Sequence, residues 1–78
     1  MTQTELISLL ADSLGVSASS LKDDTCIKEV PAWDSVAWLI IISAVDERLG
    51  FVMKPSEISD LRTVGDLLHY IEQGAALG

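Results

Sequence analysis

Ser35 is the side chain of this sequence best placed to do chemistry. It stands in Asp34-Ser35-Val36, which opens a helix-length apolar stretch running to Leu49-Gly50. A serine at a helix start sets its hydroxyl beside backbone N–H groups that lack intrahelical partners, at the positive end of the helix dipole. Such a position stabilises a phosphate. Asp-Ser is also an ordinary way to begin a helix, so on these residues alone both readings of Ser35 stand.

The other reactive side chains point to no catalytic arrangement. His69 lies in a predicted helix with no acid or nucleophile patterned around it, and reads as a surface or capping histidine. Cys26 is the single cysteine, so it forms no internal disulfide. With only Lys28 as a basic neighbour it reads as a small buried filler. No Cys/His spacing suggests a metal site. The carboxylates are spread along the chain with no pair placed for general acid–base work. The hydrolase pattern G-x-S-x-G is absent, and nothing offers Ser35 a histidine base. The reading is a protein that is not an enzyme and binds no metal.

Twelve acids against five bases give a net charge of −7. That field repels phosphate backbones, and no basic stripe offsets it locally, so nucleic-acid binding is excluded. An acidic surface favours partners with basic patches, mainly through faster encounter. The longest apolar run, Val36 to Ile42, is far too short to span a membrane. The N-terminal Met-Thr-Gln-Thr-Glu lacks the basic and apolar regions of a secretory signal. A cytoplasmic monomer is the expectation.

Seventy-eight residues, 49% of them hydrophobic, suffice for one domain, residues 1–78, with a core over about 2–73. Thr2-x-x-Glu5 is a capping-box pattern. Leu6, Leu9, Leu10 and Leu14 follow on one helical face, and Gly15 is the stop. Val16 to Trp33 is a long connection whose recurring apolar residues, Leu21 and Ile27 among them, predict that it packs over the core. A second helix is expected from Asp34 to Leu49, ended by Gly50. Val36 to Ile42 is β-branched enough to resemble a buried strand, but its capped start and the lack of any partner strand favour helix. Pro55 to Asp60 fits one short helical turn. Thr63-x-x-Asp66 caps a last helix bearing Val64, Leu67, Leu68 and Ile71, expected to end at Gly74. The fold class is all-α: a small four-helix bundle, three longer helices and one short one, with a long first loop.

Winding the second helix at about 100° per residue sorts its side chains. Trp38, Ile41, Ile42, Val45 and Leu49 form the expected core stripe. Val36, Leu39, Ile40, Ser43 and Glu47 fall on the opposite side, where a surface helix normally carries polar residues. Three of these five are aliphatic. Clustered exposed aliphatics mark a binding surface.

These residues together resemble an acyl carrier protein. The resemblance rests on Pro31-Ala32-Trp33-Asp34-Ser35-Val36 after the long loop and on the helix ending Asp46-Glu47-Arg48-Leu49-Gly50. The closing Leu61-Arg62-Thr63-Val64-Gly65-Asp66-Leu67 completes it, and it runs from Leu6 to about Ile71. It implies that Ser35 receives a covalent 4′-phosphopantetheine arm from coenzyme A, transferred by a Mg²⁺-dependent carrier protein synthase, a phosphopantetheinyl transferase. The arm's thiol would hold acyl groups as thioesters and deliver them to ketosynthases, reductases and dehydratases of fatty acid, lipid or polyketide-type synthesis. Asp34 would assist recognition by the transferase as well as cap the helix.

Departures from the family pattern shape what else is expected. Val36 stands where leucine is usual, and Ala32 where a glycine often precedes the motif. Ala37 and Ile40 occupy positions where family members often carry acids that meet basic partner surfaces. The expected partner-binding face is therefore apolar, built on Val36, Leu39 and Ile40 with Glu47 at its edge. Trp38 stands where the family usually has something small, facing the cleft that shelters an acyl chain. With Ile42, Ile58 and Leu61 as the remaining walls, it either narrows that pocket or tops up a small core. A peptidyl or aminoacyl carrier, and an unmodified carrier-like interaction module, remain alternatives on sequence. Small-molecule binding in the core has no polar constellation behind it.

Overall fold

The computed structural model describes residues 3–77, with side chains through residue 74. Four α-helices follow one another: α1 (Gln3–Leu14), α2 (Ser35–Leu49), α3 (Pro55–Ile58) and α4 (Val64–Leu77). In α1 the leucines at 6, 9, 10 and 14 are buried, as their spacing requires of one face turned to the core. Gly15 closes this helix at φ 72°, and the Val16 N–H donates back to the Ala11 carbonyl at 3.0 Å. The proposed cap at Thr2 lies outside the described residues.

The long connection is built, not slack. It contains two single 3₁₀ turns, Ala18–Ser20 and Ile27–Glu29, and buries Leu21, Ile27 and Trp33. Its middle is tied to the entrance of α4. The Ile27 N–H donates to Arg62, Val64 to Thr25, and Gly65 to Asp23, each at 2.9 Å. Cys26 pairs with Thr63 through this backbone seam and is half-buried, not the buried filler its isolation suggested. The seam fixes its backbone at the surface edge, where the side chain is only partly covered.

The start of α4 follows the sequence pattern closely. The Asp66 N–H donates to Thr63 Oγ1 at 3.1 Å, while Asp66 Oδ2 accepts from the Arg62 and Thr63 N–H groups at 3.3 Å. This is a reciprocal capping box with Asp in the acidic role. Val64, Leu67, Leu68 and Ile71 are buried. The end of α4 differs from the expectation. The helix passes through Gly74 to Leu77. A Cβ at position 74 would collide with the Phe51 ring, so this glycine makes room for an aromatic neighbour and terminates nothing.

The core stripe of α2 is also turned from the expected one. Its fully covered residues are Ala37, Ile41 and Val45, while Trp38, Ile42 and Leu49 are half-buried on one flank. Ala37 is buried, and α2 packs chiefly against α1. Alanine adds little to an apolar pattern, so the pattern places the stripe one position too far round. The short α3 begins with Pro55 in its first turn and buries Ile58. Tyr70 of α4 anchors it by accepting the Lys54 N–H at 3.3 Å and donating to Glu57 Oε1 at 2.9 Å.

Candidate functional site

The chain enters α2 through two backbone bonds, Trp33 N–H to Val30 and Asp34 N–H to Ala32. Asp34 is the N-cap, in extended conformation, and its Oδ1 accepts the Ala37 N–H at 2.9 Å. Its carbonyl takes the first helical bond, from Trp38 at 3.0 Å. Ser35 is therefore the first residue of the helix. Trp33 before the motif and Ala37 after it are buried, whereas Asp34, Ser35 and Val36 between them are exposed. The core thus pins both ends of a short corner and presents the serine hydroxyl outward. The first-turn N–H groups have no partner within the helix, and the dipole there favours an anion.

A groove starts at that serine. Its walls are Ser35, Trp38, Leu39 and Ile42 of α2 with Pro55, Ile58 and Ser59 across from them, enclosing about 340 Å³. Ser35, Trp38, Leu39 and Ile42 share a helical face, so the groove runs directly from the hydroxyl. Three of the four residues expected to wall a pocket are here, namely Trp38, Ile42 and Ile58. Leu61 is not. The chain turns after Ile58, with the Leu61 N–H on the Ile58 carbonyl at 3.0 Å, and Leu61 packs half-buried against the core. Trp38 packs against Trp33, the ring centroids 5.2 Å apart and the planes tilted by 52°. That pair joins a residue of the loop to one of the helix, so helical spacing gave no sign of it.

Round the helix from the groove lies a second shallow depression of about 380 Å³. Val36, Leu39, Ile40, Ser43, Ala44 and Glu47 line it. Val36 is 63% exposed, Leu39 67% and Ile40 47%, so α2 presents a continuous aliphatic face that no part of the described fold covers. Leu39 belongs to both the groove and this face. Ala44 is an addition to the residues the sequence singled out, and its place one turn after Ile40 was the available signal. His69 is exposed on α4. Among the described residues, no three His, Cys, Asp or Glu side chains come together as a metal site. No described helix is long and apolar enough to cross a membrane.

Comparison with known proteins decides the family. The phosphopantetheine attachment site family matches residues 4–71, most of the chain. The chain belongs to the acyl carrier protein family. It is 36% identical to the acyl carrier protein MbtL of Mycolicibacterium paratuberculosis over 63 residues, 81% of this chain and 71% of that one. It is 30% identical to an acyl carrier protein of Chlamydia trachomatis over 71 residues, 91% and 92% of the two chains. In fold it is similar to the solution structure of the holo acyl carrier protein from Geobacter metallireducens. That likeness has a TM-score of 0.80 at 21% identity, covering 97% of this chain and 88% of the other. Acyl carrier proteins are carriers and generally not catalysts, and the group they carry is a covalently attached 4′-phosphopantetheine. The geometry of this carrier fits such a group. An exposed hydroxyl stands at a helix N-terminus, the neighbouring carboxylate is engaged as a cap, and an apolar groove leads away from the hydroxyl.

Proposed function

We propose that Ser35 is the attachment point of the 4′-phosphopantetheine arm, and that the chain shuttles acyl groups among acyl-processing enzymes. The observation that carries this reading is the exposed Ser35 at the first position of α2, fixed there by the Asp34 cap, within the span matched by the family. When bound, the arm supplies a terminal thiol that holds acyl groups as thioesters. The residues of the chain do the rest. Asp34 sets where the helix begins, so that the first-turn N–H groups face the phosphodiester and offset its charge. Ser35 is small and exposed enough for a transferase to reach its Oγ. Val36, Leu39 and Ile40, with Glu47 at the rim, form the face that partner enzymes grip beside the attachment point. Trp38, Ile42 and Ile58 shape the groove nearest the cargo. As a cytoplasmic monomer, such a carrier would meet its partners one at a time.

Intact mass spectrometry tests the reading. Incubated with coenzyme A and a phosphopantetheinyl transferase, the protein should gain the mass of one arm, and Ser35→Ala should gain nothing. An undiminished gain in Ser35→Ala, or none in the native sequence, would overturn it.

A further inference from the structure

We propose that Trp38 sets the cargo size of this carrier. Its indole closes the groove at Ser35 off from the core, so that short acyl chains are sheltered and longer ones run out into solvent. This rests on the attachment of the arm at Ser35. Trp38 touches both sides of that boundary. It is a wall of the groove, and its ring packs on Trp33 with 5.2 Å between centroids. Trp33 is 7% exposed, belongs to the core and does not line the groove. The Trp38 ring therefore fills the space between a chain lying in the groove and the core at Trp33.

The groove left in front of that ring is short. Its α2 wall runs from Ser35 to Ile42, two helical turns or about 10 Å. Three bonds of a stretched chain span about 3.8 Å, so roughly eight bonds exhaust that length. Of the other α2 walls, Leu39 is 67% exposed and forms the rim, while Ile42 stands at the far end. Trp38 is thus the side chain whose bulk decides how deep the groove goes. A methylene covered by the groove leaves water and stabilises the loaded protein, because the unfolded chain offers no such cover. A methylene beyond the groove gains nothing.

The test unfolds three forms in urea: the holo protein and its octanoyl and dodecanoyl forms, loaded from the coenzyme A thioesters by a phosphopantetheinyl transferase. Intact mass confirms each loading. In the native sequence the midpoint should rise from holo to octanoyl, by roughly 0.3 M for each methylene covered. It should rise no further from octanoyl to dodecanoyl. Trp38→Leu opens the space toward Trp33, so its dodecanoyl form should unfold at least about 0.5 M above its octanoyl form. Trp38→Phe opens less, should show a smaller rise, and keeps a ring in place where Trp38→Leu does not fold. A native midpoint that climbs from octanoyl to dodecanoyl, or ignores both cargos, overturns the role of Trp38. So does a plateau that persists in the variants. Each of these leaves the attachment reading intact, whereas a native chain that gains no arm overturns both.

Discussion

Asp34 Oδ1 accepts the Ala37 backbone N–H at 2.9 Å, across the serine that opens α2. One carboxylate thus fixes the helix start and the orientation of Ser35 together. Replacing Asp34 with alanine should lower stability by about 1 kcal/mol, the usual cost of losing a helix cap. Asp34→Asn keeps an N-capping side chain and should stay near native stability. If the charge also serves recognition by the transferase, Asp34→Asn should be modified more slowly despite its intact fold. Urea midpoints and modification rates for the three proteins separate the roles. Native-rate modification of Asp34→Asn would reduce Asp34 to a cap alone.

The contact between Gly74 and Phe51 gives a second prediction. An alanine in the middle of a helix gains roughly 0.5–1 kcal/mol over glycine, whereas overpacking against a ring costs about 1–3 kcal/mol. The larger effect wins, so Gly74→Ala should destabilise the native protein by about 1 kcal/mol. Phe51 also packs against Tyr70, with ring centroids 5.4 Å apart and planes tilted by 58°, which limits its freedom to step aside. In the Phe51→Ala background the collision is gone, and Gly74→Ala should become stabilising. A double-mutant cycle in urea reads the reversal; equal effects in both backgrounds would contradict it.

That glycine shows which parts of the molecule its sequence could reveal. Caps are local, and so Asp34 ahead of α2 and Thr63 with Asp66 at α4 were legible from residue type and spacing. Gly74 reads as a stop in any local scheme, because the Phe51 ring it accommodates comes from a distant loop. Ala37 carries too little apolar signal to show that it belongs to the buried stripe of α2. The aliphatic face of Val36, Leu39 and Ile40 was legible because periodicity alone separates it from Ile41 and Val45. The Trp33–Trp38 pair was not, since one partner lies outside the helix and its neighbour is set by the turn from Val30 to Asp34.

Tyr70 should leave a signature at alkaline pH. Burial chiefly holds its hydroxyl pKa above the ordinary value of 10; the bond from Lys54 opposes this and the Glu57 carboxylate adds to it. A group whose folded pKa is raised contributes stability that is complete below its unfolded pKa and is lost as pH rises through the folded one. Stability should therefore show no effect of Tyr70 up to about pH 10, and a decline beyond it. Tyr70→Phe should abolish this component and, at neutral pH, cost about 0.5–1.5 kcal/mol for the bonds to Lys54 and Glu57. Tyr70 is the single tyrosine, so ultraviolet titration reads it directly. A midpoint at or below 10 would refute the assignment.

The exposed face of α2 makes the last prediction, because it sets two kinds of docking against each other. A carrier with net charge −7 could hold its partners through charge alone. Exposed charge pairs weaken as salt shortens the Debye length from about 10 Å at ~0.1 M to about 3 Å at ~1 M. Contacts made by Val36, Leu39 and Ile40 lose nothing to screening. Glu47 and Asp46 at one end of the face, beside Arg48, leave little net charge to lose. Binding of the Ser35→Ala protein to a phosphopantetheinyl transferase should therefore persist across that salt range with a change of only a few-fold. Leu39→Ser, at the junction of the face and the groove, should weaken it about tenfold, as expected for a central interface anchor. Glu47→Gln should act mainly on the association rate at low salt. Affinity that collapses with salt, together with a silent Leu39→Ser, would show that charge and not the aliphatic face carries the contact.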